Sequence, residues 1–270
     1  MTERSAAPDI GHEASILDLL ELERIDLDLF RASYVFQDQW ALYGGQVAAQ
    51  ALLAAGLSVE PDRLPHSLHG YFLRPGDTSR PVIFQVFRDR DGASYSARRV
   101  VALQNGRVIF NMAASFQRSG WSPVDETETR APRTSDPNTA MPYDIPRLVS
   151  YEGRTAEQQF PDLDFPSRFW ARCTADLPDD PLLHAASLTY LSDISTGLVR
   201  FHGQEFSSSS SLDHALWFHR PIDASEWTLM DCVPHTVANG RGFYSGSLWA
   251  SDGTLLASLT QEALFRQRRP

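Results

Sequence analysis

The sequence predicts an α+β fold made of two tandem repeats, in each of which an antiparallel sheet wraps around a central helix. Three observations predict it: similar strings recur at nearly equal offsets, each half carries a hairpin signal, and each half carries a helical segment ahead of its strands. The 270 residues are enough for one large domain or two smaller ones that share a core.

The repeat is visible in two independent features. Residues 69–75 and 214–221 are both rich in aromatic side chains and end in Arg-Pro, and the closing prolines lie 146 residues apart. The glycines of two turns farther on, Gly106 and Gly253, lie 147 residues apart. Nearly equal offsets in separate features indicate duplication of a unit of ordinary domain size.

Each half contains one predicted helix. Residues 44–55 are rich in Ala and Gly and largely apolar on both faces, which is typical of a buried helix. Residues 180–193 open with Asp and then Pro, a helix start signal. Extended lead-in segments over 29–37 and 167–175 precede the two helices.

Strands follow each helix. Asn105-Gly106 and Asp252-Gly253 lie between alternating apolar runs, the strongest short hairpin signal. Two further strands precede each hairpin, near 66–73 and 81–89 in the first half and near 213–219 and 226–235 in the second. Each unit is therefore predicted as strand, buried helix and four antiparallel strands.

These elements divide the chain into an N-terminal repeat over 14–118, a connector over 119–166 and a C-terminal repeat over 167–266. The connector is rich in Pro, Ser, Thr and acidic residues, so it forms neither a continuous helix nor a central strand. The five serines over 207–211 are predicted to be a flexible loop, because they form a low-complexity run.

Composition excludes several functional classes. A formal charge of −10 argues against a broad nucleic-acid footprint. The chain has no lysine, which removes Schiff-base chemistry, a pyridoxal phosphate anchor and a Walker-A loop. Two cysteines are too few for a disulfide framework or a Cys-rich zinc site, and the histidines lack metal-ligand spacing: His214 and His219, five apart on one strand, point to opposite faces.

The cellular location is predicted from apolar runs and from the terminal residues. No apolar run approaches the ~20 residues of a membrane span, and residues 1–5 and 268–270 show no targeting signal. We therefore expect a cytoplasmic protein. Because the chain has no lysine and its cysteines and histidines lack metal-ligand spacing, we also expect that it uses neither a cofactor nor a metal.

Two polar residues stand at unusual places in apolar elements. Asp193 ends the second helix, where a carboxylate opposes the helix dipole. Gln261 shares one face of the last strand with Leu255, Ala257 and Leu259, and a lone amide there is costly unless it is hydrogen-bonded. Spacing alone leaves both a structural and a functional role open for each residue.

Several longer strings resemble the acyl-CoA thioesterase II (TesB-like) family, over roughly residues 14–118 and 167–266. They are YGGQVAAQAL (43–52), HSLHGYFLRPGD (66–77), SARRVVALQNG (96–106), ASFQ (114–117), LDHALWFHRP (212–221) and QE (261–262). The resemblance implies a double hotdog fold. It also implies hydrolysis of acyl-CoA to a fatty acid and CoA, with no metal and no covalent acyl-enzyme.

The resemblance also assigns site residues. The family's Asp falls on Asp193, its last-strand Gln on Gln261, and its Ser or Thr on Ser211, two residues before Asp213, with the neighbouring serines leaving that register open by one or two positions. Asp193 would accept a proton from the attacking water, help typically worth 10²–10⁴-fold, while Ser211 and Gln261 orient that water.

Backbone amides at a helix N-terminus are the usual donors to a developing oxyanion. In hotdog folds the Gly-Gly pattern lies at such a helix end, so Gly44, Gly45 and Gln46 are the candidates. Close packing of helix against sheet is an equally good explanation of the two glycines.

Two other functions remain open. A hotdog hydratase shares the fold, but it would normally need an Asp–His pair on a loop after the helix, and no such pair stands beside Asp193. A non-catalytic acyl-CoA-binding module is the second alternative. Because exposed hotdog sheet faces commonly pair, we expect a homo-oligomer, either a dimer or a tetramer.

Overall fold

The computed structural model describes residues 14–33, 41–120, 124–163, 165–194 and 206–267. The terminal residues 1–5 and 268–270, on which the expected location rests, lie outside this set, as do residues 34–37 of the first predicted lead-in. Within the described residues, no helix is both long enough and apolar enough to cross a membrane.

The described residues form three helices and fourteen strands. In chain order these are α1 Ile16–Leu20, β1 Leu22–Asp26, β2 Leu29–Ala32, α2 Gly44–Gly56, β3 Arg63–Phe72, β4 Val82–Asp91, β5 Tyr95–Gln104, β6 Arg107–Arg118, β7 Pro142–Tyr143, β8 Tyr151–Thr155, β9 Arg168–Cys173, α3 Pro181–Ser192, β10 Phe206–Ser211, β11 Asp213–Phe218, β12 Thr228–Ala238, β13 Arg241–Ala250 and β14 Leu255–Gln267.

All described strands belong to one antiparallel sheet with the order β1-β2-β4-β5-β6-β3-β11-β14-β13-β12-β9-β8-β7, and β10 pairs with β14. The order is the same when read outwards from the central β3–β11 pair: β6 corresponds to β14, β5 to β13, β4 to β12 and β2 to β9. The prediction of two repeats, each with an antiparallel sheet around a helix, is confirmed.

Strand register gives the same offset as the sequence. In the central pair, His69 lies opposite Ala215, and these two residues are 146 positions apart. A pair of equivalent residues facing each other places a pseudo-twofold axis between them. The sheet of one half therefore continues into the sheet of the other without an edge.

The two central helices lie inside this sheet and pack against each other in antiparallel fashion. In α2, every residue from Gly45 to Gly56 is buried. Near its start, Gly45 approaches the Tyr190 carbonyl, and at its end Gly56 approaches Leu182. The N-terminus of α2 therefore meets the C-terminus of α3, and one hydrophobic core spans both halves.

The prediction of a flexible loop over the serine run is wrong. Residues Phe206–Ser211 form β10, which pairs with β14 from Ser207 opposite Arg266 to Ser211 opposite Ala263. The reason is the length of β14, whose 13 residues extend beyond the four that pair with β11. The backbone groups of the remaining part need partners, and the serine run supplies them.

The described part of the predicted connector contains little regular structure that joins the sheet. Its two short strands, β7 and β8, lie at the outer edge of the sheet, where β8 pairs with β9. Neither is a central strand.

Candidate active site

Asp193 caps the C-terminus of α3 and is only 2% exposed. It accepts hydrogen bonds from Gln261 Nε2, at 2.9 Å from Oδ1, and from the backbone N–H of Gly45. Burial raises the pKa of its carboxyl, whereas His214, these hydrogen bonds and Arg147 pull that pKa down. The unfavourable dipole of α3 at this carboxylate is offset because the N-terminus of α2 points at it.

Gln261 lies on β14 and is fully buried. Its Nε2 donates to Asp193 and to Ser211 Oγ, and its Oε1 accepts from Tyr244 OH at 2.7 Å and from His214 Nδ1 at 2.9 Å. A side-chain amide has two donor hydrogens and two acceptor sites, so this arrangement uses all of them. The cost of an amide on an apolar face is therefore met by hydrogen bonds.

Ser211 is the last residue of β10, and it brings the third predicted side chain to the same place. The Ser211 hydroxyl accepts from Gln261, which links it to Asp193 through one amide. The structure thus brings the side chains of Asp193, Ser211 and Gln261 together.

A cavity of about 650 Å³ opens beside this cluster. Its polar lining includes Asp193, Ser210 and Ser211, and its apolar wall includes Leu42, Tyr43, Val47, Phe72, Ile109, Phe110 and Leu264. Both repeats contribute to it, because α2 and β3 come from one half and α3, β10 and β14 from the other. A mainly apolar cavity with a few convergent polar groups is the usual form of a small-molecule site.

The three residues predicted at the helix N-terminus have different surroundings. Gly44 lines the cavity, and a Cβ atom there would lie 2.6 Å from Asp193 Oδ2. A Cβ atom at Gly45 would lie 2.5 Å from the Tyr190 carbonyl oxygen, so this glycine permits contact between the two helices. Gln46 is buried and is not among the described lining residues. The sequence suggested close packing of a helix against the sheet, whereas Gly45 packs against the other helix.

Two family models match the chain: one described as the acyl-CoA thioesterase N-terminal domain over residues 36–117, and one described as the acyl-CoA thioesterase C-terminal domain over residues 124–265. The chain belongs to the acyl-CoA thioesterase family.

Individual members of this acyl-CoA thioesterase family are similar over almost their whole length. Acyl-coenzyme A thioesterase 8 of Homo sapiens is 32% identical over 98% of this chain and 92% of its own. The crystal structure of acyl-CoA thioesterase II TesB2 from Mycobacterium marinum is 34% identical, covers 94% of this chain and 99% of its own, and has a TM-score of 0.78.

A solved protein from Alicyclobacillus acidocaldarius, described as having a hot dog fold, shares that fold at 21% identity and a TM-score of 0.70 over 93% of this chain and 98% of its own. The expected double hotdog architecture is confirmed.

Sequence reasoning missed a buried histidine that lies beside the cluster of Asp193, Ser211 and Gln261. His214 is fully buried, with Nδ1 on Gln261 Oε1 and Nε2 2.8 Å from Ser192 Oγ. Because the amide oxygen carries no hydrogen, Nδ1 must be the donor. The signal was present in the register, since pairing Ala215 with Thr260 puts His214 beside Gln261. Finding it required the pairing of two distant strands.

The polar cluster is not repeated in the other half. With the offsets of 146 for β11 and 147 for β14, His214 corresponds to Leu68 and Gln261 to Ala114. Apolar side chains at these positions cannot hold a water or a carboxylate. Among the described residues, the duplication therefore supplies two structural halves and one such polar cluster.

Proposed function

We propose that this chain hydrolyses acyl-CoA thioesters to a free fatty acid and CoA by direct attack of a water molecule. The observation that carries the proposal is a cavity lined by Asp193 and Ser211, which Gln261 links through hydrogen bonds from its amide, in a member of a thioesterase family. A thioester carbonyl is electrophilic enough for a positioned, partly deprotonated water to attack it.

Asp193 acts as the general base. It takes a proton from the water as the water oxygen bonds to the thioester carbon, the carbon–sulfur bond then breaks, and the proton passes from Asp193 to the departing thiolate. Ser211 orients the water directly, and Gln261 contributes through the hydrogen bonds that its amide donates to the Ser211 hydroxyl and to the carboxylate.

The amides at the N-terminus of α2 stabilise the oxyanion. The first three amides of a helix have no intrahelical acceptor, and the first described bond in α2 is from Val47 to Tyr43. The Gly45 N–H is directed to Asp193, so we assign the role first to the backbone of Gly44, which lines the cavity, with Gln46 as the next candidate.

The deciding experiment is free-thiol release from acyl-CoA substrates of short to long chain length by the wild type and Asp193→Asn. We expect a loss in kcat of about 10²-fold or more, because Asn cannot take the proton. The control is Asp89→Asn, an exposed carboxylate of β4 that removes the same charge.

The pH profile gives an independent check. A general base works only when deprotonated, so wild-type kcat/KM should rise with pH through an apparent pKa above the ordinary Asp value of 3.8, since burial raises the pKa of Asp193. Thiol release that is unaffected in Asp193→Asn would contradict the site assignment.

The alternatives predict different results. Acyl-CoA binding with no thiol release at any chain length would favour the non-catalytic binding module. Water addition to an unsaturated acyl-CoA would favour the hydratase, although the neighbours of Asp193 in the sequence are Ser192 and Ile194 and neither is a histidine.

Three further properties belong to the same proposal. We place the repeats at 14–118 and 167–266 with the connector over 119–166, and we place the protein in the cytoplasm. We also propose that the chain forms a homo-oligomer, a dimer or a tetramer, through its exposed sheet face. The interface would centre on Tyr71, which is 58% exposed, and on the rings of His69 and Trp217, which contact each other. A monomeric mass in light scattering would contradict the oligomer.

A further inference from the structure

We propose that Arg74 and Arg147 form an anion-binding subsite at the mouth of the active-site cavity and bind phosphate groups of the CoA portion of the substrate. The inference rests on the proposed function, because it assigns part of that substrate to named residues. Guanidinium groups suit phosphate, since their N–H donors match its oxygens in paired hydrogen bonds.

The charges around the cavity support this assignment. Among its described lining residues the charged ones are Asp193, Arg74 and Arg147. Asp193 is buried at the inner end, whereas both arginines are exposed. A substrate with several phosphate charges approaching a chain of net charge −10 needs a local positive region, and this mouth provides one.

The connector holds Arg147 at the cavity. The backbone of Arg147 lies at φ +68°, a conformation that non-glycine residues seldom adopt. The Tyr190 hydroxyl stabilises this conformation. It donates to the Arg147 carbonyl at 3.2 Å and accepts from the Val149 backbone N–H at 3.2 Å. The guanidinium donates to the Ala41 carbonyl at 3.2 Å and lies 5.2 Å from the centre of the Tyr43 ring. Such retained backbone strain is typical of functional sites.

Arg74 is held at the cavity by the backbone of β6. It follows β3, its backbone N–H donates to the Ile109 carbonyl at 3.2 Å, and its Nη1 donates to the Val108 carbonyl at 2.7 Å. Within the described part of the chain it has no carboxylate partner. Its charge therefore remains available at the mouth.

The repeat supplies an internal comparison for Arg74. The equivalent residue 146 positions later is Arg220, which also precedes a proline and lines a different cavity, of about 380 Å³. Arg220 forms a two-pronged ion pair with Asp125, which lines that same cavity. One copy of the Arg-Pro element is therefore neutralised, while the other faces the active-site cavity.

The experiment compares two substrates with the same acyl chain: acyl-CoA, and acyl-pantetheine, which has the same thioester but no phosphate. In Arg74→Gln and Arg147→Gln we expect the ratio of kcat/KM for acyl-CoA to kcat/KM for acyl-pantetheine to fall about tenfold, the usual effect of losing one charge-assisted hydrogen bond. Any effect of Arg147 on Asp193 cancels in this ratio. Arg99→Gln, an exposed arginine outside the cavity lining, should leave the ratio unchanged.

Calorimetric binding of free CoA tests the subsite without turnover. The wild type should bind CoA more tightly than pantetheine, and Arg74→Gln and Arg147→Gln should weaken CoA binding by a similar factor, with the difference shrinking at high salt. Equal affinity of the wild type for CoA and pantetheine would overturn the inference, as would an unchanged substrate ratio in both variants. A wild type that binds CoA through these arginines without hydrolysing its thioesters would refute the proposed function alone.

Discussion

At the residue scale, the orientation of Gln261 depends on the residues behind it. Tyr244 and His214 both donate to Oε1, so Nε2 is turned toward Asp193 and Ser211. An amide rotated by half a turn would put its oxygen against the buried carboxylate. In the mechanism that we propose, His214 is therefore a positioning residue that acts through Gln261.

Replacing His214 tests this role. His214→Leu introduces the residue type found at the repeat-equivalent position, Leu68. We expect kcat to fall about tenfold with a small change in KM, because one of the two hydrogen bonds that orient Gln261 is lost. Steady-state kinetics on one acyl-CoA substrate is the measurement.

A suitable control is His219→Leu, an exposed histidine just beyond the same strand whose ring contacts Ser258. It should leave kcat unchanged. A rise in KM with constant kcat in His214→Leu would show that this histidine contributes to substrate binding instead.

A single residue can be predicted from the sequence only when its signal is local. Asp193 and Gln261 stand out locally, one by its place at a helix end and the other by its place on an apolar face. Their assignment as a pair came from the resemblance. His214 acquires its role only when β11 pairs with β14, and no pattern within either strand specifies that pairing.

At the element scale, the site is built where two helix ends meet. The two predicted helices are found almost at their predicted bounds, because their signals are local: buried small residues in α2 and an Asp-Pro start in α3. The β10 strand was missed because its signal is the length of β14, which a local composition does not show.

The glycines at the two ends of α2 give a matched pair of variants. A Cβ atom at Gly45 would meet the Tyr190 backbone carbonyl, which cannot move aside, and one at Gly56 would meet Leu182 side-chain atoms, which can. We expect Gly45→Ala to cost about 1–3 kcal/mol. Gly56→Ala should change stability by less than about 1 kcal/mol, because the gain in helix propensity offsets the contact.

Urea unfolding of both variants measures these free energies, and thiol release adds a functional readout. Gly45→Ala should also lose activity, because the clash with the Tyr190 carbonyl would displace the backbone N–H of residue 45 that donates to Asp193. Equal destabilisation by both substitutions would mean that the two helix ends are equally adaptable, contrary to the packing described above.

At the scale of the whole molecule, the two repeats share their sheet, their core and their cavity. The central β3–β11 pair joins the sheets across the pseudo-twofold axis, and α2 packs on α3 within one hydrophobic core. The sequence showed the duplication through its offsets, but the sharing of a single cavity depends on how the halves face each other, which no offset specifies.

This sharing predicts that the full chain unfolds in one cooperative transition. Neither half can open without exposing the apolar helix of the other, because each helix is covered partly by the opposite half. Differential scanning calorimetry should therefore give one peak with a van't Hoff enthalpy close to the calorimetric enthalpy. Acyl-CoA hydrolysis should disappear over the same temperatures, since the cavity wall comes from both halves. Two separated transitions, with activity surviving the first, would show that one repeat holds the site by itself and would refute a cavity made by both.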